Sequence, residues 1–231
     1  RILMAKDLQQ MTSYLRRGRV DWINETAGNA ALLEHRGVAR SFLISEREGA
    51  TRYHSLFFVR RDSPVQSLQD LAGRSVAFQS PLSTSAYFLP AAQLLEGGQS
   101  LELLLSPMDK PAADRVGYVF ARTELNIATW VHKRMVDAGV LSNLDWINPA
   151  RMPPAFSQDF RLIARTQDVP RAQPKILGKR EVLMEAANDP DASEALRRFM
   201  DTARFVPIGD DDRRALERLA TGVQRVRAEV E

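Results

Sequence analysis

The spacing of apolar residues along the chain predicts helices that alternate with short strands. Leu8, Met11 and Leu15 fall on one face of a helix over residues 8–17, and Gly18 ends it. Ile127, Val131 and Met135 recur at every fourth position and indicate a helix over residues 124–138. Further helices are predicted over residues 30–34, 191–204 and 210–230, and between the turn at 80–85 and Gly97.

Apolar runs between these helices predict strands. The clearest run is YHSLFFV at residues 53–59, and others lie at residues 19–24, 74–79, 116–121 and 160–165. Alternation of strands with helices is typical of α/β folds with a largely parallel sheet. The sequence therefore predicts the α/β class.

Two polar, proline-bearing stretches interrupt the alternation, at residues 60–64 and 149–154. We expect a first lobe of residues 1–60 plus 160–231, which holds both chain ends, and an inserted second lobe of residues 61–159. In α/β proteins, ligands bind outside the carboxyl ends of the strands, and two-lobed proteins close around them. This organisation predicts a binding site between the lobes.

Composition narrows the chemistry. The 231 residues carry a net charge of +3 with both signs interspersed, so we expect no nucleic-acid partner. The absence of cysteine excludes thiol nucleophiles, disulfides and zinc–cysteine sites. The three histidines lack metal-ligand spacing, and neither a nucleophile elbow nor a phosphate-binding glycine loop occurs. We therefore expect no metal, no cofactor and no enzymatic activity.

The most distinctive chemistry is the triplet Ser83-Thr84-Ser85, between a predicted strand and a predicted helix. Three hydroxyl groups there stand beside the free amides and the positive dipole end of a helix. Such a terminus can bind a tetrahedral oxyanion, although serine and threonine also serve as ordinary helix caps. The triplet predicts an anion site if it faces a cleft.

The stretch from Tyr53 to Pro90 resembles the phosphonate-binding (PhnD-like) family of periplasmic substrate-binding proteins. The residues that carry the resemblance are the strand led by Tyr53, the pair Asp62-Ser63, the block SLQDLAGRSVAF at 67–78 and the turn STSAY at 83–87. The segment VDAG at 136–139, expected to end a helix, is also similar to a family segment. The resemblance implies a type II periplasmic-binding fold with two lobes and a hinge, and it implies that the first elements of this fold are missing before Arg1.

The resemblance also implies a ligand and a site. Ser83, Thr84 and Ser85 would hold a phosphonate, phosphate or similar small oxyanion, while Tyr53 would donate its phenol from the other lobe. Asp137 would lie near the cleft and take a ligand amine or orient a partner. This sequence departs from the family at two places. It has Ala86 where the family has glycine, and its residues 122–126 contain no histidine, whereas the family often has one in this segment upstream of VDAG. In that segment Arg122 is expected to supply a positive charge.

A loop in the first lobe adds candidates from the other side. Glu25, Thr26 and Asn29 follow the strand at residues 19–24, although an ordinary solvated turn explains each one equally well. This stretch is similar to the sensor branch of the same family, which is found on histidine kinases.

Two functions are consistent with the resemblance. The first is the substrate-binding component of an ABC transporter, with a membrane permease as partner. The alternative is a periplasmic ligand-sensing domain of a membrane histidine kinase or other signalling protein. Both imply an extracytoplasmic location, either secreted or tethered to the membrane. Apolar residues at 216, 219, 223, 226 and 230 follow a heptad pattern, which fits a helix packed on its own lobe or one leading to a membrane segment.

Overall fold

A computed structural model describes residues 3–171, 173–176, 180–198 and 201–230. The chain divides into two compact units. Unit 1 comprises Arg1–Arg52 and Val169–Ala220, and unit 2 comprises Tyr53–Asp168 and Thr221–Glu231. The predicted lobe boundaries at 60/61 and 159/160 therefore fall inside unit 2 rather than at its edges.

The elements follow the chain in this order. The strands are β1 (Trp22–Glu25), β2 (Leu43–Arg47), β3 (Arg52–Tyr53), β4 (Ser55–Arg60), β5 (Ser75–Phe78), β6 (Ser100–Leu103), β7 (Arg115–Phe120), β8 (Ala138–Ser142), β9 (Phe160–Arg165), β10 (Val169–Pro170), β11 (Gln173–Ile176) and β12 (Thr202–Pro207). The α-helices are α1 (Leu8–Arg16), α2 (Ala27–His35), α3 (Leu89–Glu96), α4 (Glu124–His132), α5 (Asn143–Trp146), α6 (Pro154–Ser157), α7 (Arg180–Glu185), α8 (Pro190–Arg198) and α9 (Asp210–Val230). Single turns of other helix types span Gln69–Leu71, Thr84–Phe88 and Ala186–Asn188.

Unit 1 is built on two antiparallel strand pairs, β1 with β11 and β2 with β12. Leu43, Leu196 and Phe205 form a small buried core in it, and the Trp22 ring meets Phe205 edge-on at 6.1 Å. The helix predicted over 191–204 was too long, because Thr202 and the residues after it form β12 and pair with β2 instead.

Unit 2 is built on a six-stranded sheet with the order β6-β7-β5-β8-β4-β9. Strands β6, β7, β5 and β8 are parallel, whereas β4 runs antiparallel to both of its neighbours. Because β4 and β9 complete this sheet, residues 53–60 and 160–165 belong to unit 2. The predicted mixed α/β architecture is therefore present, with its larger sheet mostly parallel.

The segment VDAG does not end a helix, which corrects the helix predicted over 124–138. Helix α4 ends at His132, and Arg134 adopts a left-handed conformation with φ of 59°. The chain then enters β8, where a Cβ on Gly139 would lie 2.6 Å from Phe58 Cζ and 2.7 Å from Ile127 Cγ2. Gly139 is needed here because the strand passes between a buried ring and helix α4.

The heptad pattern of α9 is buried within the chain. Leu216, Leu219, Val223 and Val226 are all less than a tenth exposed. A Cβ added at Gly222 would approach the Ala92 side chain to 2.9 Å, so the glycine allows close packing at that point. The contact with Ala92 places the last part of α9 in unit 2, on a residue of the predicted second lobe, whereas we expected the helix to pack on the first lobe. Within the described residues, no helix combines the length and apolar character needed to cross a membrane.

Candidate functional site

Polar residues collect at one edge of the unit 2 sheet, where the parallel strands β5, β7 and β8 end. Gln79 follows β5, Arg122 lies beyond the end of β7, and Ser142 ends β8. Strand β4 runs the opposite way, so its first residue, Ser55, pairs with Ser142 at the same edge. The carboxyl ends of parallel strands are where open α/β folds bind ligands. We call this the carboxyl edge of unit 2.

The triplet Ser83-Thr84-Ser85 begins a helix at this edge, as predicted. Ser83 caps the helix, and its Oγ accepts a hydrogen bond from Ala86 N at 3.1 Å. The first turn, Thr84–Phe88, is kinked at Ala86 and continues directly into α3. Pro90 lies at the start of α3, where a missing N–H costs no helical hydrogen bond. The regular helix α3 therefore begins beyond the kink, and the triplet belongs to the turn that leads into it.

Backbone hydrogen bonds fix the triplet to its neighbours. Gln79 N donates to Ala86 O at 3.0 Å, and Gln79 O accepts from Arg122 N at 2.8 Å. Ser55 Oγ donates to Ser85 O at 2.5 Å. Sequence reasoning missed Ser55, because only the register of β4 against β8 brings it to this edge. The helix start is thus held from two sides.

The three hydroxyl-bearing residues differ in what they can offer a ligand. Ser85 is partly exposed, and the described part of the chain provides no partner for its hydroxyl or its backbone N–H. The Ser83 hydroxyl accepts the capping bond and still has its own proton to donate. Thr84, in contrast, is only 2% exposed. Ser85 is consequently the most available donor of the triplet.

Arg122 adds a positive charge to the same edge. Its side chain is exposed, and it forms no side-chain hydrogen bond or ion pair with any described residue. Its backbone φ is 72°, in the left-handed region that favours glycine. The backbone bond to Gln79 links it directly to the strand that leads into the triplet.

The structure does not bring Asp137 to this edge, which corrects its expected place near the cleft. Asp137 precedes β8, so it lies at the opposite end of the sheet from the triplet. Its carboxylate accepts from Ser75 N at 2.9 Å and Ser75 Oγ at 3.1 Å, and pairs with Arg74 at 3.4 Å. These bonds tie together the starts of β5 and β8, so the carboxylate has a structural role.

Tyr53 begins unit 2 rather than standing on the other unit, and its side chain is 8% exposed. The remaining candidates lie in unit 1, at the end of β1. Glu25 accepts from Asn29 Nδ2 at 3.0 Å and from Thr26 N at 3.3 Å. Thr26 begins α2 without a side-chain cap. Asn29 is buried, and its Oδ1 has no partner among the described residues.

The described residues of the carboxyl edge do not form a metal centre. Among the described residues, no group of three or more His, Asp or Glu side chains is placed to hold a metal ion. Two aspartates with lowered pKa lie elsewhere. Hydrogen bonds from Arg60 and Arg134 lower the pKa of Asp62, and hydrogen bonds from Gln66 N and from Ser67 lower that of Asp70. Among the described residues, the carboxyl edge brings together the donors of Ser83 and Ser85 and the positive charge of Arg122, which suit an anion.

Comparison with known proteins decides the family. The family of periplasmic substrate-binding proteins of phosphonate ABC transporters matches residues 1–213. The chain belongs to this family. The members of this family are periplasmic substrate-binding proteins of ABC transporters.

Individual relatives agree with this assignment. One solved relative is a Xanthomonas citri protein, whose structures contain bound chloride in one case and bound ATP in the other. The sequence of its chloride-bound form is 50% identical to this chain. That form has a TM-score of 0.93 and covers 99% of this chain and 86% of its own. The binding component of a Pseudomonas aeruginosa phosphonate transporter has a TM-score of 0.65 at 18% identity, covering 98% of this chain and 76% of its own. These neighbours confirm the type II periplasmic-binding fold.

A curated relative matches over a shorter stretch. The phosphate-import protein PhnD of Mycolicibacterium smegmatis is 30% identical over 111 residues. The match covers 43% of this chain and 35% of that protein, so the chain spans about a third of the curated relative.

Proposed function

We propose that the protein binds a small phosphorus oxyanion, a phosphonate or phosphate, at the start of the Ser83–Ser85 helix. It would present this ligand to the permease of an ABC transporter. The observation that carries the proposal is the pair of unpartnered Ser85 donors at a helix start on the carboxyl edge of a family member. A tetrahedral oxyanion has several acceptor oxygens, so it can accept hydrogen bonds from both the hydroxyl and the backbone N–H of Ser85.

The other donors of this edge complete the proposed site. The Ser83 hydroxyl can donate while it caps the helix. Thr84, Tyr53, Glu25 and Thr26 stay predictions as further ligand contacts. The named ligands of relatives are consistent with an anion: the Mycolicibacterium smegmatis protein imports phosphate, and the Xanthomonas citri protein binds ATP or chloride.

The first test measures binding by isothermal titration with methylphosphonate, phosphate, phosphite and sulfate. We expect at least one phosphorus oxyanion to bind the unaltered protein. Ser85→Ala removes one charge-assisted hydrogen bond of about 1.5–3 kcal/mol and should weaken that binding at least tenfold.

The matched control is Ser100→Ala. Ser100 is an exposed serine at the start of β6, at the opposite end of the same sheet. This variant should bind like the unaltered protein. Equal affinities for Ser85→Ala and Ser100→Ala would remove the helix start from the site.

A second experiment separates transport from signalling. Deleting the gene in its source organism should lower cellular uptake of whichever oxyanion binds in the titration. Unchanged uptake together with an altered transcriptional response to that oxyanion would favour the sensor of a membrane kinase instead.

A further inference from the structure

The backbone of Arg122 is unusual for an arginine. It is one of four non-glycine residues with positive φ in the described part of the chain. Side chains disfavour this region because Cβ crowds the backbone carbonyl. Such positions persist where the surrounding structure or a function holds them. The four residues are Glu48, Arg122, Arg134 and Asp201.

The other three charged residues in this conformation have ionic interactions within the protein. Glu48 pairs with Arg171 at 3.0 Å, and Arg134 pairs with Asp62 at 2.5 Å. Asp201 acts electrostatically on Arg47. Arg122 is the exception, since its exposed guanidinium meets no acceptor among the described residues. Its guanidinium is therefore available to an acceptor outside the chain.

The position of Arg122 indicates what that partner is. Gln79 bonds through its backbone to both Arg122 and Ala86, so the backbone of Arg122 is linked through one residue to the helix start of the proposed oxyanion site. The hydroxyl and amide donors of Ser83 and Ser85 form one set of donors for a tetrahedral group. The guanidinium is a second and different set, a planar fork that matches a carboxylate or phosphate with two parallel hydrogen bonds.

We propose that the ligand carries a second anionic group, bound by Arg122, next to the phosphorus oxyanion at the helix start. This inference rests on the proposed function and specifies its ligand class as organic phosphonates or phosphates with an added carboxylate or phosphate. Arg122 is then the specificity-determining residue that separates doubly anionic ligands from singly anionic ones.

The experiment compares three probes by isothermal titration: methylphosphonate, phosphonoacetate and 2-aminoethylphosphonate. All three carry a phosphonate. Methylphosphonate has no second charged group, phosphonoacetate has a carboxylate, and 2-aminoethylphosphonate has an amine. The unaltered protein should bind phosphonoacetate about tenfold more tightly than either of the other two probes. This is the gain in affinity expected from one hydrogen-bonded ion pair between Arg122 and the carboxylate of the probe. Arg122→Gln should abolish this preference, because it should weaken phosphonoacetate binding about tenfold more than methylphosphonate binding.

Two further variants make the result specific. Arg122→Lys keeps the charge but loses the planar fork, so it should retain only part of the preference. Arg115→Gln removes an exposed arginine from the opposite end of the same strand, β7, and should leave the preference intact. Thermal melting of each variant confirms that it is folded.

The outcomes distinguish this inference from the proposed function. Binding of methylphosphonate without a preference for phosphonoacetate overturns the role of Arg122 and leaves the oxyanion site standing. An equal loss for both probes in Arg122→Gln also overturns it, because the arginine would then serve the first anion. Tighter binding of 2-aminoethylphosphonate would point to the neighbouring Glu124 as the selective group. If none of the three probes binds, this inference fails, and the proposed function fails with it if phosphate, phosphite and sulfate do not bind either.

Discussion

Asp137 illustrates how the position of one residue decides its role. Resemblance to the family predicted an aspartate near the ligand. In the structure its carboxylate instead joins Ser75 N, Ser75 Oγ and the Arg74 side chain, and its own N–H donates to Ser75 O. Since these bonds connect the first residues of two adjacent parallel strands, the carboxylate stabilises the sheet at the end remote from the proposed site.

Replacing Asp137 by alanine should therefore lower stability without changing ligand binding. The loss of hydrogen bonds to a charged carboxylate should cost about 1.5–3 kcal/mol in the free energy of unfolding, measured by urea denaturation. The lower part of that range is expected, because the side chain is 31% exposed. Reduced methylphosphonate affinity with unchanged stability would return Asp137 to the binding site.

For single residues, the sequence predicts a position in the site where neighbouring residues form a recognisable pattern. It does not predict positions that depend on contacts between distant parts of the chain. The triplet at 83–85 combines hydroxyl groups with a strand-to-helix turn, so its place at a helix start could be inferred. Ser55 has no such signal, because its contact with Ser85 O depends on the pairing of β4 with a strand more than eighty residues later. The positive φ of Arg122 likewise follows from the bonds around it rather than from its residue type.

The helices and strands likewise divide into those that the local sequence pattern predicts and those whose ends depend on distant pairing. Helices α1 and α9 and strands β5, β7 and β9 lie close to their predicted ranges, because each has a continuous apolar pattern. The predicted helices at 124–138 and 191–204 ran past the observed ends of α4 and α8. In both cases a helix is followed by a strand whose partner is distant in sequence, and pairing outweighs the local helical pattern.

The turn before β5 carries a prediction about pH. The sequence SLQD at 67–70 predicts a capping box, and Asp70 accepts from Ser67 N at 2.9 Å, Ser67 Oγ at 3.0 Å and Gln66 N at 2.9 Å. These bonds favour the charged form and lower the Asp70 pKa below its ordinary 3.8. A lowered pKa in the folded state means that the charged carboxylate stabilises the fold above pH 3.8, and that this contribution is lost as pH falls further.

Asp70→Asn should accordingly have a lower melting temperature than the unaltered protein at pH 6 to 7. The difference should shrink and vanish as the pH falls below the ordinary aspartate value of 3.8, which melting curves over a pH series would record. A difference that stays constant down to acid pH would show that the carboxylate charge contributes nothing at this turn.

For the whole molecule, the sequence predicted two parts formed from discontinuous segments, and the structure divides the chain at other positions. The polar stretch at 60–64 suggested a linker. It is instead a turn inside unit 2, where Asp62 contacts Arg60 and Arg134, and Arg60 also pairs with Asp159. Strand pairing of β4 with β8 and β9 sets the boundary, and composition alone does not reveal that pairing.

A crystal structure of the protein grown with methylphosphonate would test the proposed binding site most directly. We expect a phosphonate oxygen within about 3 Å of Ser85 N and another within the same distance of Ser85 Oγ, at the carboxyl edge of unit 2. Phosphonate bound elsewhere, with the Ser85 donors facing solvent or protein, would contradict it.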